Sequence, residues 1–415
     1  MDLQITPKKL SGAVAPPPSK SQAHRLLIAA ALSGGVSVLH GLADSQDIQA
    51  TRRCLIALGA GMEDLPDGGL RVHGLGHGIV MAPPYALLDC GESGSTLRFL
   101  IPVALLVQGE ASFTGRGRLM ERPLKPYEDL FREKGVAWKL EDHILTVNSG
   151  RGYDALALDP GVYRLPGNVS SQFFTGLLFV LPLLNGDSTL VSTTPLESRD
   201  YLEMTRQALA AAGVTTRWAD ENTLCVPGGQ TYQPFEAAVE ADWSQAAFWY
   251  AADFLDSRVD IRGLNPDSAQ GDKVVSELYW KLARPGDAEI DVSGCPDLLP
   301  PLAVMAAVRS GTTRFTNAAR LRMKESDRLS TITAALTALG AEVHEEPDRL
   351  IIVGKPSLPG GTVDSANDHR IAMMAAIAAT GCTGPVTIRG AECVQKSYPD
   401  FWEVYRSLGG DIHVL

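Results

Sequence analysis

The stretch LTALGAEVHEE, Leu336 to Glu346, combines two patterns on either side of one glycine. Before Gly340 the sequence is amphipathic with helical spacing, and after it the residues are typical of a β-strand. Glycine is favoured just beyond the end of a helix because the backbone there adopts a positive φ. The stretch therefore predicts a helix that ends at Gly340 and leads into a strand.

This helix–glycine–strand ending recurs along the whole chain. It is found at five further glycines: Gly59 (CLIALGAGM), Gly135 (LFREKGVAWKL), Gly213 (ALAAAGVTTRW), Gly286 (KLARPGDAEI, weakly) and Gly409 (YRSLGGDIHVL). The interval of about 70 residues exceeds that of common solenoids and indicates a large repeated α/β unit. Six copies account for the chain, three in each domain. The alternative is that glycine merely ends helices before strands, as in any α/β protein.

The length of 415 residues is too great for one ordinary core and favours two domains. The repeat divides the chain near residues 231–240 (TYQPFEAAVE), which predicts an interdomain crossing there. Alternating apolar residues in TLVSTT and RLIIVG are typical of strands covered by helices on one face.

Composition limits the kinds of partner. The net charge of −11 argues against nucleic acid or an anionic membrane as the main partner, so any anion site must be built locally from clustered cations. The six cysteines contain no CxxC pair, which predicts neither disulfides nor a zinc site and fits a reducing compartment. The start MDLQITPKKLSG has no signal-peptide pattern, and the longest apolar run, residues 176–184, is too short to span a membrane. We expect a cytoplasmic protein.

PPPSKSQAHR, Pro16 to Arg25, is the first candidate anion site. The prolines predict a stiff, extended segment, after which Ser19 or Ser21 can cap a helix. Lys20 and Arg25 are unfavourable near a helix N-terminus unless an anionic ligand is held there. The alternative is that both cations are simply solvated.

Other predicted helix starts share this composition. GESGSTLRF (91–99) places glycine and hydroxyl residues at a helix entry with Arg98 one turn in, although a tight turn alone would look the same. NVSSQFFTGLLF (168–179) begins an apolar helix with Ser170, Ser171 and Gln172, where a plain cap would need only one serine.

Two further segments lie in the second half. RLRMKESDRL (320–329) sets Lys324 and Arg328 four residues apart with Glu325 between them, a pattern also typical of a solvated, salt-bridged face. NDHRIAMMAAIAA (367–379) places Arg370 at the first turn of an apolar helix, and Arg122 and Lys396 lie beside prolines in predicted loops.

If these segments converge, only a polyanionic substrate set would make the resulting cluster of positive charge stable. The eight cations are Lys20, Arg25, Arg98, Arg122, Lys324, Arg328, Arg370 and Lys396. The acid–base candidates among them are Glu325 and Asp297, which lies at the start of the helix predicted from CPDLLPPLAVMAA and could equally be a simple cap.

The segments PPPSKSQAHR, GESGSTLRF, RPLKP, SSQFFTGLL, PDLLPPLAVMAA, RMKESDRL and NDHRIAM, in this order, resemble the EPSP synthases of the enolpyruvyl transferase family. The resemblance covers nearly the whole chain. It implies an α/β fold of two domains, each of three βαβαββ repeats in an inside-out α/β barrel, joined by a double-crossover hinge. The implied domains are residues 19–236, on the shikimate 3-phosphate side, and residues 1–18 plus 237–415, on the phosphoenolpyruvate side.

The resemblance also implies a reaction. The family transfers the enolpyruvyl group of phosphoenolpyruvate to the 5-hydroxyl of shikimate 3-phosphate and releases phosphate. We expect these two small-molecule substrates, no metal or organic cofactor, no nucleic-acid or membrane partner, and a monomer. Asp297 is implied as the base at the 5-hydroxyl, with Glu325 and Lys324 as candidates for proton transfer and Lys20 as a second candidate.

Matching segments imply two sets of binding residues. Shikimate 3-phosphate would contact Lys20, Ser21, Arg25, Ser170, Ser171, Gln172, Ser198, Tyr201, Asp297, Arg320 and Lys324. Phosphoenolpyruvate would contact Lys20, Gly94, Arg122, Gln172, Arg328, Arg370 and Lys396.

Three positions depart from the familiar pattern. Glu92 stands where many relatives carry Asn, Arg320 where some carry Asn, and Phe99 where others have Pro or Leu. We interpret these as tuning of the site. Because Gly94 is retained, we expect glyphosate to compete with phosphoenolpyruvate.

Two rival functions can be compared. The sister transferase that acts on UDP-N-acetylglucosamine shares the fold, but its pattern has a Lys–Asn pair early in the chain and a Cys before the RP segment. Here Ser21 follows Lys20, and residues 115–123 contain no Cys. A non-catalytic anion-binding protein on the same scaffold would be marked by loss of Asp297, Glu325 or Lys324, and all three are present.

Overall fold

The fold was analysed in a computed structural model that describes residues 1–76, 87–151 and 158–415. Contacts between residues divide the chain into two compact units. The N-terminal unit is Pro18–Glu240, and the C-terminal unit combines Met1–Pro17 with Ala241–Leu415. Each unit has its own hydrophobic core.

The helices within the described ranges are α1 Lys20–Ala31, α2 Gln46–Ala57, α3 Gly94–Gln108, α4 Lys125–Glu133, α5 Ser171–Val180, α6 Arg199–Ala211, α7 Trp243–Phe254, α8 Val275–Ala283, α9 Leu299–Val308, α10 Arg328–Ala338, α11 His369–Ala379 and α12 Phe401–Ser407.

The strands within the same ranges are β1 Leu3–Thr6, β2 Ser11–Val14, β3 Val36–His40, β4 Gly61–Asp64, β5 Leu70–His73, β6 Leu87–Asp89, β7 Glu110–Thr114, β8 Ala137–Glu141, β9 Ile144–Asn148, β10 Val162–Leu165, β11 Ser188–Ser192, β12 Arg217–Asp220, β13 Thr223–Val226, β14 Glu236–Ala238, β15 Arg258–Ile261, β16 Ala288–Asp291, β17 Thr312–Thr316, β18 Glu342–Glu346, β19 Arg349–Val353, β20 Gly361–Asp364, β21 Val386–Arg389 and β22 Asp411–Val414.

One supersecondary unit recurs in both parts of the chain. In β6-α3-β7-α4-β8-β9 the first two strands are parallel and the last two add antiparallel partners, giving the sheet order β6-β7-β9-β8. The same pattern gives the sheets β10-β11-β13-β12 and β16-β17-β19-β18. The predicted α/β fold with βαβαββ repeats is confirmed.

Strands that are distant in sequence complete the remaining sheets. Within the N-terminal unit, β14 pairs with β3 in parallel. Within the C-terminal unit, β1 lies between β21 and β22, antiparallel to both, and β2 pairs with β15 in parallel. The first residues of the chain therefore belong to sheets built mainly from its second half.

The six glycines of the repeated ending all have positive φ, between 76° and 108°. Gly59, Gly135, Gly213, Gly340 and Gly409 each follow within two residues of an α-helix, and Gly286 follows α8 after Arg284 and Pro285. The predicted helix ends are therefore confirmed, because an L-residue with a side chain would be strained in this conformation.

The strand alternation predicted from the sequence is also found. β11 and β19 bury every second residue, so each of these sheets has one covered face. The apolar helices lie inside, since every residue of α11 and all but one of α3 and of α9 are buried. Polar residues at the first turns of such helices are thereby fixed on a rigid core.

Two features are absent from the described residues. None of their helices has the length and apolar character needed to cross a membrane. No group of three or more His, Cys, Asp or Glu side chains in these ranges is arranged to hold a metal ion.

Candidate active site

Asp297 is the centre of a charged cluster in the C-terminal unit. It lies in the 3-10 turn Pro296–Leu298, directly before α9. Its Oδ1 accepts hydrogen bonds from Lys324 Nζ at 3.3 Å and Arg328 Nη1 at 2.8 Å, and its Oδ2 from Arg370 Nη2 at 3.1 Å. One carboxylate is therefore bound by cations from two segments that are distant in sequence.

Arg328 is the most deeply buried of these cations. As the first residue of α10 it is 1% exposed, and it is bound by Glu325 at 2.7 Å and Asp368 at 2.8 Å as well as by Asp297. Burial by itself would lower the pKa of Arg328, but the three carboxylates raise it above its ordinary value. Likewise, burial would raise the pKa of Asp368, but Arg328 holds it below the ordinary value. The buried charges therefore stabilise each other's ionised forms.

Lys324 lies before α10, in extended conformation. The spacing of four residues suggested that Lys324 and Arg328 share a helix face, but they do not. Although 25% of the side chain is exposed, its ammonium group is desolvated, and this lowers the pKa of Lys324 to about 8 despite the attraction of Asp297. Both protonation states of Lys324 are therefore accessible near neutral pH, as proton transfer requires.

Arg370 and Lys396 are both bound by residues of the C-terminal unit. Arg370 Nη2 also donates to Ser244 Oγ at 2.9 Å, and Lys396 Nζ donates to the Asn367 carbonyl at 2.6 Å. Lys396 ends the 3-10 segment Ala391–Lys396, so its predicted loop placement is wrong. Arg320, which is 8% exposed, donates to the Ser293 carbonyl.

The N-terminal unit carries the PPPSKSQAHR segment. Ser19 is the N-cap of α1 and accepts a hydrogen bond from the Gln22 amide. Lys20 forms an ion pair with Asp47 at 2.8 Å, the side chains being 15% and 11% exposed. The alternative of a solvated Lys20 is therefore wrong.

Arg25 is buried one turn further along α1, at 2% exposure. It donates to the Ser21 carbonyl at 2.6 Å and to Thr205 Oγ1 at 2.8 Å, and it lies over the Phe99 and Tyr201 rings. Burial lowers the pKa of Arg25 to about 10, which leaves it charged at neutral pH. The solvated alternative is wrong for Arg25 too.

The glycine loop leads into α3, with Ser93 as the N-cap. Gly94 lies so close to Arg122 that a Cβ on it would be 2.8 Å from the Arg122 Nη1. Arg122, which is 8% exposed, follows the 3-10 turn Leu119–Glu121 in extended conformation. Any side chain at residue 94 would therefore displace the guanidinium of Arg122.

Gln172 connects two helix starts of this unit. Its Oε1 accepts from Arg98 Nη1 at 2.7 Å, and its Nε2 donates to Ser95 Oγ at 3.0 Å. It is the second residue of α5, after the N-cap Ser170 and the buried Ser171.

Ser198 and Tyr201 lie at the start of α6. Ser198 is buried. Its backbone is left-handed, with φ 54°, a conformation that is unusual for a residue other than glycine. The Tyr201 amide donates to the Ser198 carbonyl at 3.1 Å. The strained turn thus places Tyr201 beside Arg25, within 5.8 Å of its guanidinium carbon.

Sequence reasoning missed the carboxylates that hold the cations in place. Asp47 pairs with Lys20, Asp368 pairs with Arg328, and Asp242 accepts a hydrogen bond from the Ser244 hydroxyl at 2.6 Å, beside Arg370. Asp242 and Asp368 are the N-caps of α7 and α11. The sequence pattern of a cap could therefore have identified both residues, but not the cations beside them.

Glu92 and Phe99, like Arg320, have defined surroundings. The Glu92 carboxylate lies against Gly117, since a Cβ on Gly117 would be 2.8 Å from Glu92 Oε2. Phe99 is fully buried and presents its ring to Arg25 at 5.1 Å.

The family model described as EPSP synthase (3-phosphoshikimate 1-carboxyvinyltransferase) matches residues 5–405. The chain belongs to the EPSP synthase family. Two relatives named 3-phosphoshikimate 1-carboxyvinyltransferase support this membership: one from Clostridium kluyveri is 45% identical over 99% of this chain and 98% of its own, and one from Clostridium perfringens is 43% identical over 98% of both.

Solved structures agree on the fold. EPSP synthase from Acinetobacter baumannii covers 100% of both chains with a TM-score of 0.80 at 24% identity. The enolpyruvyl transferase NikO from Streptomyces tendae covers 99% of this chain and 98% of its own with a TM-score of 0.77 at 19% identity. The fold of the EPSP synthase family is therefore confirmed, and the chain is an enzyme of that family's type.

Proposed function

We propose that this chain transfers the enolpyruvyl group of phosphoenolpyruvate to the 5-hydroxyl of shikimate 3-phosphate, releasing phosphate, in the shikimate pathway to chorismate. The observation that carries the proposal is Asp297, a carboxylate bound by Lys324, Arg328 and Arg370, in a chain of the EPSP synthase family. UDP-N-acetylglucosamine is not favoured as the acceptor, because the family and the sequence around Lys20 both match the shikimate enzymes.

The chemistry is an addition followed by an elimination. The 5-hydroxyl oxygen attacks C2 of phosphoenolpyruvate and loses its proton, while C3 gains a proton and becomes a methyl group. The tetrahedral adduct then expels phosphate as the C2–O bond to phosphate breaks, and the methyl group returns a proton to restore the double bond. The two steps therefore need one group that handles the hydroxyl proton and one that handles the carbon proton.

We assign the hydroxyl proton to Asp297. Its oxygens are bound by Lys324, Arg328 and Arg370, which are the side chains that an anionic substrate would attract. When the substrate anions take over part of this cationic attraction, the Asp297 carboxylate becomes a better proton acceptor. Substrate binding itself would thus activate the base.

We assign the carbon proton to Lys324 and Glu325, with Lys20 as a further candidate. The pKa of Lys324, lowered to about 8, lets this residue give and regain a proton near neutral pH. Glu325 is bound to Arg328 at 2.7 Å, which keeps its carboxylate beside the same cluster.

The binding residues follow the two sets expected from the sequence. For shikimate 3-phosphate we propose Lys20, Ser21, Arg25, Ser170, Ser171, Gln172, Ser198, Tyr201, Asp297, Arg320 and Lys324. For phosphoenolpyruvate we propose Lys20, Gly94, Arg122, Gln172, Arg328, Arg370 and Lys396. The buried, preorganised arginines would stabilise the departing phosphate without a metal or an organic cofactor.

Phosphate release tests the reaction. The protein is mixed with phosphoenolpyruvate and either shikimate 3-phosphate or UDP-N-acetylglucosamine, with an Asp297→Asn variant in parallel. We expect release only with shikimate 3-phosphate, and a loss in the variant of about 10³-fold or more, in the upper part of the roughly 10²- to 10⁴-fold range of a single acid–base group, because the cluster's charge also changes. Release with the nucleotide sugar, or full activity of the variant, would contradict the proposal.

We further propose that glyphosate competes with phosphoenolpyruvate at this site. Its phosphonate and carboxylate groups would pair with the same cations, and Gly94 leaves Arg122 in place. Plots of reciprocal rate against reciprocal phosphoenolpyruvate concentration, measured at several glyphosate concentrations, should meet on the reciprocal-rate axis. Unchanged activity at millimolar glyphosate would exclude the interaction.

The setting of the enzyme is proposed as well. We infer a cytoplasmic monomer that needs no membrane or nucleic acid, supported by the acidic net charge of −11 and by six free cysteines. Light scattering after gel filtration should give a mass near 44.3 kDa.

A further inference from the structure

Arg322 makes a dense set of contacts beside the Asp297 cluster. Its Nη1 donates to both Asp327 oxygens at 3.1 and 2.9 Å and to Glu345 Oε1 at 2.6 Å. Its Nε donates to the Pro347 carbonyl at 2.9 Å, and its Nη2 to the Glu346 carbonyl at 2.8 Å. One guanidinium thus binds the segment before α10, the strand β18 and the turn that follows β18.

These contacts decide where α10 begins. Asp327 is the N-cap of α10, where its Oδ1 accepts from the Ser330 amide at 3.2 Å, and Ser330 Oγ donates to the same Glu345 oxygen at 2.9 Å. The first residue of α10 is Arg328, the buried cation of the Asp297 cluster. Arg322 therefore fixes the cap that places Arg328.

The segment between Arg322 and Arg328 is bound from two sides. Arg322 holds Asp327 on one side, and on the other Ser326 Oγ donates to Asp368 at 3.0 Å. Lys324 and Glu325 lie between Arg322 and Ser326, and neither belongs to a helix or a strand. The backbone that carries them is thus held at both flanks, in addition to the ion pairs of Lys324 with Asp297 and of Glu325 with Arg328.

We propose that Arg322 is a positioning residue for enolpyruvyl transfer, which keeps Lys324 and Glu325 in reacting geometry by binding Asp327, Glu345 and the turn at 346–347. It is assigned no contact with substrate. The inference rests on the proposed function, because it needs Lys324 and Glu325 to act in the reaction. A misplacement of reacting groups by about 1 Å can cost 10²-fold in rate.

Arg322→Ala and Arg322→Lys form the main test, with Arg349→Ala as the matched control. Arg349 also pairs with carboxylates of the same hairpin, Glu346 and Asp348, both at 3.3 Å, but it makes no described contact with segment 323–328. In Arg322→Ala we expect kcat to fall about 10- to 100-fold, with a smaller rise in both KM values because the same segment carries Arg328 and Lys324, which we place in substrate binding. Arg322→Lys should recover part of kcat, and Arg349→Ala should match the wild type.

A milder pair of variants covers the case in which Arg322→Ala does not fold. Glu345→Gln weakens one contact of Arg322, whereas Glu346→Gln leaves its contact intact, because Arg322 binds the backbone carbonyl of Glu346. We expect a several-fold loss of kcat in the first variant only. Binding of shikimate 3-phosphate by calorimetry gives the fraction of folded enzyme in each preparation.

The outcomes separate the two proposals. An inactive wild-type protein would overturn the proposed function and this inference with it. An active wild type with Arg322→Ala folded and within twofold of Arg349→Ala in kcat would overturn the inference alone. If instead Arg322→Ala lost only thermal stability, with kcat per folded molecule unchanged, Arg322 would be merely structural and the inference would also be wrong.

Discussion

Gly94→Ala should weaken phosphoenolpyruvate binding without destabilising the fold. The new Cβ would lie 2.8 Å from Arg122 Nη1, 2.9 Å from its Cζ and 3.0 Å from its Nη2. Ordinary van der Waals contact begins near 3.4 Å. The guanidinium must therefore withdraw by about 0.6 Å (3.4 minus 2.8), and more if it rotates.

The expected magnitude follows from the proposed role of Arg122. A hydrogen bond to a charged group contributes about 1.5–3 kcal/mol. Its loss would raise KM for phosphoenolpyruvate by roughly 10- to 150-fold, at 1.4 kcal/mol per tenfold. Alanine also suits the first turn of α3 better than glycine, so the melting temperature should not fall.

The assay is steady-state phosphate release at varied phosphoenolpyruvate, combined with a double-mutant cycle. Gly94→Ala is measured in the wild type and in an Arg122→Ala background. If the methyl group acts through Arg122, it should cost little in the second background, giving a large coupling energy. A KM within twofold of the wild type, or an equal effect in both backgrounds, would refute the reasoning.

Three other perturbations are expected to have defined effects. Since the pKa of Lys324 is lowered from 10.5 to about 8, kcat should decline as the pH rises through 8; Lys324→Arg should remove this limb in a pH–rate series. Lys324 loses its proton near pH 8 in the folded protein but only near pH 10.5 in the unfolded chain, so its contribution to the free energy of unfolding increases as the pH rises from 8 to 10.5. Asp368→Ala should lower the free energy of unfolding by about 3–5 kcal/mol in urea titrations, because it leaves the buried Arg328 without one partner; a change under about 1 kcal/mol would contradict this. Asp47→Asn should reduce kcat/KM about tenfold, or ~1.4 kcal/mol, by releasing Lys20 from its 2.8 Å ion pair, and an unaltered kcat/KM would count against that pairing.

Local sequence was sufficient for the repeated unit and for several of its helix starts. The glycine at the end of each repeat is needed for one backbone conformation, and all six glycines adopt it. Ser19, Ser93 and Ser170 cap the helices whose first turns were predicted to bind anions. These features depend on interactions within a few residues, so they can be read along the chain.

The pairing of charges depended on the tertiary structure. Lys20 and Arg25 were predicted as neighbours at one helix start, but Lys20 binds Asp47 of α2 and Arg25 is buried against Thr205 of α6. Lys324 and Arg328 were read as one helical face, but α10 begins only at Arg328. An N-cap sequence indicates where a helix starts, not which distant side chain will lie beside it.

The sequence by itself determined the α/β repeat, the helix ends and the kinds of residue available for an anionic substrate. Only the tertiary structure decided that β1 lies between β21 and β22, and that Asp297, Lys324, Arg328 and Arg370 share one cluster. The physical reason is range. Backbone preferences act over a few residues, whereas a buried charge is tolerable only once folding has brought its counter-charges to it from distant parts of the chain.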